Sequence, residues 1–177
     1  MSLVAIRDGM RGYLAEPATP NGAGIVVIQE IFGVNAVMRG LADRLAEAGY
    51  VALVPDLFWR LEPGVEITDK TDADWKKALD LMNRFDVAKG VEDIQAAIAL
   101  LRARPDVRKV GAVGYCLGGQ LAYLTAARTD ADASVGYYGV NISAFLGEAA
   151  NIAKPLMLHI AAKDGFVPKP AQEQMVA

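Results

Sequence analysis

The segment that most constrains this chain is a glycine-flanked cysteine between an apolar run and a helical run, where residues 114–119 read GYCLGG. The pattern G-x-C-x-G between a strand and a helix is typical of a nucleophile on a strained turn, whose neighbours two positions away must be small. The following helix directs its first N–H groups at the Cys116 thiol, which favours a thiolate and later an oxyanion. The N–H of Leu117 is then a natural oxyanion donor. By itself, the pattern also fits a buried and unreactive cysteine.

Apolar runs that are typical of strands alternate with helical periodicity along the chain. Strand-like runs lie at 24–29, 50–54, 109–114, 133–138 and 155–161, and helical runs lie at 35–48, 72–83, 87–103 and 117–128. This alternation predicts a parallel sheet with helices on both of its faces. The glycines do not match the phosphate-binding patterns G-x-x-x-x-G-K-[ST] or G-x-G-x-x-G, so we do not expect a nucleotide site.

The first helical run has clear boundary signals. Asn35 can cap its beginning and Gly49 can end it. Val37, Leu41 and Leu45 recur at four-residue steps, which predicts that they form its buried face.

Composition indicates one globular domain over residues 1–177. Apolar residues make up 53% of the chain, which is enough for a packed interior. The net charge of −3 gives no electrostatic reason to expect nucleic acid as a partner, and no apolar run approaches the roughly 20 residues that span a bilayer. One cysteine and one histidine cannot supply a zinc shell. We expect a cytoplasmic monomer that acts on a small molecule, without cofactor, metal or membrane partner.

Five segments, in this order and spacing, resemble the dienelactone hydrolases. They are residues 29–35 (QEIFGVN), 55–57 (PDL), 114–119 (GYCLGG), 136–139 (GYYG) and 163–168 (KDGFVP). The likeness covers nearly the whole chain, and the five segments together are much more specific than any one of them. The resemblance implies the α/β-hydrolase fold, with a mostly parallel central sheet and helices on both faces.

The resemblance also implies the roles of five residues. Cys116 matches the nucleophile, and Asp164 matches the acid that orients a histidine. Glu30, at the end of a strand, matches a glutamate that contacts the resting thiol and takes part in its conversion to a thiolate. Leu117 and Ile31 would donate the two main-chain N–H groups of the oxyanion hole. From the residues alone, Asp164 is equally consistent with a turn, and Glu30 with an exposed strand end.

Four aromatic residues near the strand ends are candidates for the substrate pocket. They are Phe32, Trp59, Tyr137 and Tyr138. Dienelactone carries a carboxylate that related enzymes hold with arginines. Where the resemblance places one of these arginines, this sequence has Trp75.

The resemblance places the catalytic histidine about thirty residues after Asp164. This sequence stops at Ala177, and its single histidine, His159, lies in an apolar run that is not the catalytic position. The chain as written is therefore expected to lack the final strand and helix of the fold, and to have weak turnover or none.

The function implied by the resemblance is the opening of an enol-lactone, dienelactone to maleylacetate, through an acyl-enzyme on Cys116. In related enzymes this reaction belongs to the degradation of chlorinated aromatic compounds. One alternative is a hydrolase of broader range that acts on carboxylic esters or thioesters. The other is a pseudoenzyme that keeps the fold without catalysis, because the triad histidine is absent from these residues.

Overall fold

The structure, a computed structural model, describes residues 2–177 and is built on a seven-stranded sheet in the order β1-β2-β4-β3-β5-β6-β7. The strands are β1 (Ser2–Arg7), β2 (Met10–Ala15), β3 (Ala23–Ile28), β4 (Val51–Pro55), β5 (Lys109–Tyr115), β6 (Ala133–Tyr137) and β7 (Leu156–His159). The first two strands form an antiparallel hairpin, and β2 pairs antiparallel with β4. The other strands run parallel, so their carboxyl ends meet at one edge of the sheet.

Helices cover both faces of this sheet, as predicted. They are α1 (Ala36–Glu47), α2 (Asp72–Arg84), α3 (Val87–Arg102), α4 (Leu117–Arg128) and α5 (Lys169–Val176), with a 3-10 segment at Ile142–Asn151. One buried cluster lies between α1 and the sheet, and a larger one lies under α2, α3 and α4. The sequence therefore predicted the α/β class and the order of the main elements correctly, but not the 3-10 segment.

Helix α1 begins where the sequence predicted, but its buried face is different. The Asn35 side chain accepts hydrogen bonds from the N–H groups of Val37 and Met38 at 3.1 and 3.2 Å. The buried residues are Met38, Ala42 and Ala46, one position along from the predicted set. The prediction for Val37 was wrong: 58% of this residue is exposed. Met38, Ala42 and Ala46 pack in the cluster between α1 and the sheet, whereas Val37 lies on the side that borders an open cavity.

Candidate active site

Cys116 stands alone on a sharp turn between β5 and α4. Its backbone has φ +56° and ψ −114°, a conformation that L-residues seldom adopt. Such a residue costs on the order of 1–3 kcal/mol and persists only where the surroundings enforce it. Here the Cys116 N–H donates to the carbonyl of Tyr137, and the Cys116 carbonyl accepts from the N–H of Gly119 at 2.9 Å. The predicted strand–turn–helix context of the cysteine is therefore confirmed.

Two glycines, one on either side of Cys116, allow this turn. A Cβ added to Gly114 would lie 1.8 Å from the carbonyl oxygen of Gly118, and a Cβ added to Gly118 would lie 2.3 Å from the carbonyl oxygen of Ile28. Both obstacles are main-chain atoms, which cannot rotate out of the way. The elbow can therefore pack against the end of β3 only with glycine at both positions.

The thiol of Cys116 is protonated at neutral pH in the resting site. Burial is the largest cause that raises its pKa from 9.0 to about 11, and the negative charges of Glu30 and Asp164 raise it further. A hydrogen bond from the N–H of Leu117 acts in the opposite direction. Because a thiol rather than a thiolate is present, attack on a substrate requires a group that takes its proton.

Glu30 lies just beyond β3, at the edge where the parallel strands end. Its carboxylate accepts a hydrogen bond from the Tyr138 hydroxyl, with 3.3 Å between Oη and Oε1. Burial raises the pKa of Glu30, the bond from Tyr138 lowers it, and the charge of Asp69 raises it. Burial and the Glu30 charge also raise the pKa of Tyr138, so its hydroxyl remains a donor. A carboxyl group with a raised pKa next to a thiol is suited to exchanging a proton with it.

Asp164 lies in the loop after β7. Its carboxylate accepts a hydrogen bond from the N–H of Phe166 at 2.8 Å, so it also stabilises its own turn. It borders the same cavity as Cys116 and Glu30. The turn interpretation and the triad interpretation of Asp164 are thus compatible.

Leu117 and Ile31 are the residues expected to supply the N–H groups of an oxyanion hole. The N–H of Leu117 points at the Cys116 sulfur. Ile31 borders the cavity, and within the described part of the chain its N–H has no main-chain acceptor. These are the two donors that the sequence suggested for an oxyanion hole.

The cavity beside Cys116 has a volume of about 710 Å³. Of the aromatic residues named from the sequence, Phe32 and Tyr138 border it. Its apolar lining also includes residues that the sequence analysis did not select for the site. These are Val37, Leu79, Met82, Val140 and Phe166, together with Trp75, which was noted only where an arginine was expected.

The other two predicted pocket residues lie elsewhere. The indole N–H of Trp59 donates to the buried Asp93 carboxylate at 3.0 Å, and the Arg60 guanidinium lies 4.4 Å over its ring. Tyr137 points to the α1 face of the sheet, where its ring stacks 4.2 Å from that of His159. Tyr138 follows β6 in a left-handed conformation, with φ +40°, where the chain leaves the sheet, and it borders the cavity that Tyr137 does not reach.

His159 is exposed at the end of β7, and it does not border the cavity that contains Cys116. This agrees with the sequence-based expectation that it is not the catalytic base. Among residues 2–177, no group of three or more His, Cys, Asp or Glu side chains is arranged to hold a metal ion. In the same part of the chain, none of the helices has the length and apolar character needed to cross a membrane.

Comparison with known proteins relates this chain to the dienelactone hydrolases. The sequence profile of the dienelactone hydrolase family matches residues 10–177. A carboxymethylenebutenolidase-like protein of Azospirillum brasilense is 49% identical over 182 aligned positions, which cover all of this chain and 78% of that protein. The carboxymethylenebutenolidase of Pseudomonas putida is 41% identical, with 90% of this chain and 68% of that protein covered.

Solved structures show the same relationship. A dienelactone hydrolase-like protein of Klebsiella pneumoniae superposes with a TM-score of 0.75 at 26% identity, covering 94% of this chain and 73% of the other. A dienelactone hydrolase-like promiscuous phosphotriesterase from metagenomic libraries superposes with a TM-score of 0.70 at 25% identity, covering 94% of this chain and 69% of the other.

Proposed function

Since the chain belongs to the dienelactone hydrolase family, we propose that it opens an enol-lactone, dienelactone to maleylacetate, through an acyl-enzyme on Cys116. The observation that carries this proposal is the position of Cys116: it is held at positive φ on the elbow, in a cavity that it shares with Glu30 and Asp164. A residue kept only for packing would not need this strained conformation.

In the first step, the substrate carbonyl would bind with its oxygen toward the N–H groups of Leu117 and Ile31. The Cys116 sulfur attacks the carbonyl carbon, and Glu30 takes the thiol proton. The tetrahedral oxyanion then collapses and the ring C–O bond breaks. The enolate oxygen, which stays tethered to the acyl group, takes the proton from Glu30. The acyl group is now a thioester on Cys116.

In the second step, a water molecule attacks the thioester and releases the acid. This step needs a base that activates water, which the family resemblance assigns to a histidine oriented by Asp164. Because His159 does not border the cavity, we expect the 177-residue chain to acylate faster than it deacylates. Its steady-state turnover should then be weak, with an acyl-enzyme that accumulates.

The test is to mix the 177-residue protein with p-nitrophenyl acetate and to follow both p-nitrophenol release and protein mass. The expected result is a burst of up to one equivalent, with the added acetyl group on Cys116. The Cys116→Ala variant, which removes only the sulfur, should show no burst. Release that is equal in the variant and the parent protein would contradict the proposed nucleophile.

A second candidate function is the hydrolysis of a broader range of carboxylic esters or thioesters. It is favoured by Trp75, which borders the cavity where the family resemblance leads us to expect an arginine. Acylation rates with dienelactone and with simple acyl esters separate the two candidates, because a clear preference for neutral acyl chains would remove the dienelactone assignment. A pseudoenzyme would show neither reaction.

A further inference from the structure

We propose that the cavity beside Cys116 selects esters whose acyl group is neutral and apolar, and that Trp75, Leu79 and Met82 of α2 form the wall that recognises this group. The proposal rests on the Cys116 hydrolase chemistry above and assigns its substrate class. It favours the second candidate, neutral carboxylic esters or thioesters, over dienelactone, whose carboxylate would lie in the acyl group. We place the acyl group on this wall because the wall and Cys116 border the same cavity, and the acyl group stays bonded to Cys116 until water releases it.

Exposed apolar side chains are concentrated in this cavity. Among residues 2–177, seven large hydrophobic side chains are exposed, and four of them border it: Val37, Leu79, Tyr138 and Phe166. Single exposed apolar residues are ordinary on a protein surface, but several in one concavity mark a place where an apolar ligand removes them from water. The volume of about 710 Å³ lies within the range of roughly 300–1,000 Å³ typical of small-molecule sites.

The α2 wall is a rigid apolar surface. Trp75, Leu79 and Met82 follow at spacings of four and three residues, so they lie on one side of the helix. The indole N–H of Trp75 donates to the carbonyl of Asp69 at 3.0 Å, and its ring meets Phe32 edge-on with 5.2 Å between ring centroids. With its only polar group already bonded, Trp75 offers a substrate ring surface alone.

The charges around the cavity disfavour an anionic acyl group. Three carboxylates border it, those of Glu30, Asp69 and Asp164, against one ammonium group, that of Lys70. None of the three cations of α2 borders the cavity: Lys76 is outside its lining, Lys77 pairs with Glu62, and Arg84 pairs with Asp80. A carboxylate on the substrate would therefore meet more negative than positive charge.

The test compares the binding of two amides, which the enzyme cannot readily cleave, by titration calorimetry. One is the half-amide of adipic acid, and the other has an isopropyl group in place of the carboxylate, which keeps the shape and removes the charge. We expect the neutral amide to bind at least about tenfold more tightly. Equal or tighter binding of the half-amide, or no detectable binding of either, would overturn the proposal.

Variants of the wall give the decisive comparison. Trp75→Arg and Leu79→Lys each place a cation in the cavity, so each should move the preference toward the half-amide by about tenfold. Leu79 is 37% exposed, so its replacement by lysine should not prevent folding. The matched control is Leu3→Lys, at an exposed position outside this cavity, and it should leave the preference unchanged.

These experiments test the proposed hydrolase function and the proposed substrate class separately. If ester hydrolysis survives in Cys116→Ala, the proposed function is wrong whatever the amides do. If hydrolysis depends on Cys116 but the half-amide binds better, the function stands and the assigned substrate class is wrong.

Discussion

Alkylation of Cys116 by iodoacetamide should be slow in the free protein and should become faster when Glu30 is changed to Gln. The pKa of the thiol is raised from 9.0 to about 11, first by burial and then by the charges of Glu30 and Asp164. Replacing Glu30 by Gln removes one of these charges with little change in shape. Since a nearby carboxylate disfavours the thiolate, its removal should lower the pKa of the thiol.

The magnitude follows from the two pKa values. A rise of about two units lowers the thiolate fraction near neutral pH roughly 100-fold. A thiolate of higher pKa is the better nucleophile. With a Brønsted coefficient of about 0.4–0.5, two pKa units raise the reactivity of each thiolate roughly sixfold to tenfold. Cys116 should therefore react about tenfold more slowly than a free cysteine at about pH 8. Glu30→Gln should raise the alkylation rate of Cys116 several-fold but should not restore the full rate, because burial is the larger cause of the raised pKa.

The assay is the rate of carbamidomethylation, measured by mass spectrometry between about pH 7 and pH 10, with glutathione as the reference thiol. The logarithm of the Cys116 rate should keep rising with unit slope, whereas the glutathione rate levels off. The matched control is Glu92→Gln, an exposed glutamate on α3, which should change nothing. A profile for Cys116 that levels off near pH 9, or slower alkylation in Glu30→Gln, would refute this account of the resting site.

Three further predictions concern the elbow and the electrostatics. Gly118→Ala should destabilise the protein in urea by about 3 kcal/mol or more, because its Cβ would lie 2.3 Å from a carbonyl oxygen, whereas Gly147→Ala, with open space around it, should change stability by less than about 0.5 kcal/mol. Tyr138→Phe removes a hydrogen bond that lowers the pKa of Glu30, so the acid limb of Cys116-dependent ester cleavage should move to higher pH; an unmoved limb would exclude Glu30 as the proton acceptor. The pKa of Asp132 is held at about 2, below its ordinary 3.8, foremost by a main-chain N–H donor. The ionised Asp132 carboxylate therefore stabilises the folded protein fully above pH 3.8, and this stabilisation is lost as the pH falls toward 2. Asp132→Asn should lower the free energy of unfolding in urea by on the order of 1–2 kcal/mol at neutral pH and should have no effect in strong acid.

The fold and the reactive groups were predictable from the sequence because each depends on a local signal. Continuous β-branched runs predict buried parallel strands, and G-x-C-x-G after such a run predicts the elbow. Glu30, Cys116 and Asp164 follow strands β3, β5 and β7, and parallel strands bring their carboxyl ends to one edge. Three positions that are distant in the chain therefore meet without any long-range information in the sequence.

The pocket wall was harder to predict. An apolar residue in a periodic pattern normally predicts burial in the core, but the apolar residues that line a cavity remain exposed. Val37 was assigned to the buried face of α1, but it is 58% exposed and borders the cavity. Trp59 lies outside the cavity, where its indole N–H donates to the buried carboxylate of Asp93. The periodicity of Trp75 and Leu79 was present in the sequence, but periodicity cannot distinguish a side facing the core from one facing a cleft.

Chemistry and selectivity are carried by different elements of this fold. The reactive groups follow strands of the sheet, whereas the wall that we assign to the acyl group belongs to α2. The elbow is fixed by contacts with main-chain atoms of β3 that α2 does not provide. Leu79→Lys should therefore change which amide binds while leaving the rate of Cys116 alkylation within about twofold of the parent, because no group of α2 is among the causes that set the pKa of Cys116. A large change in alkylation with no change in amide preference would show that the wall acts on the nucleophile and not on the substrate.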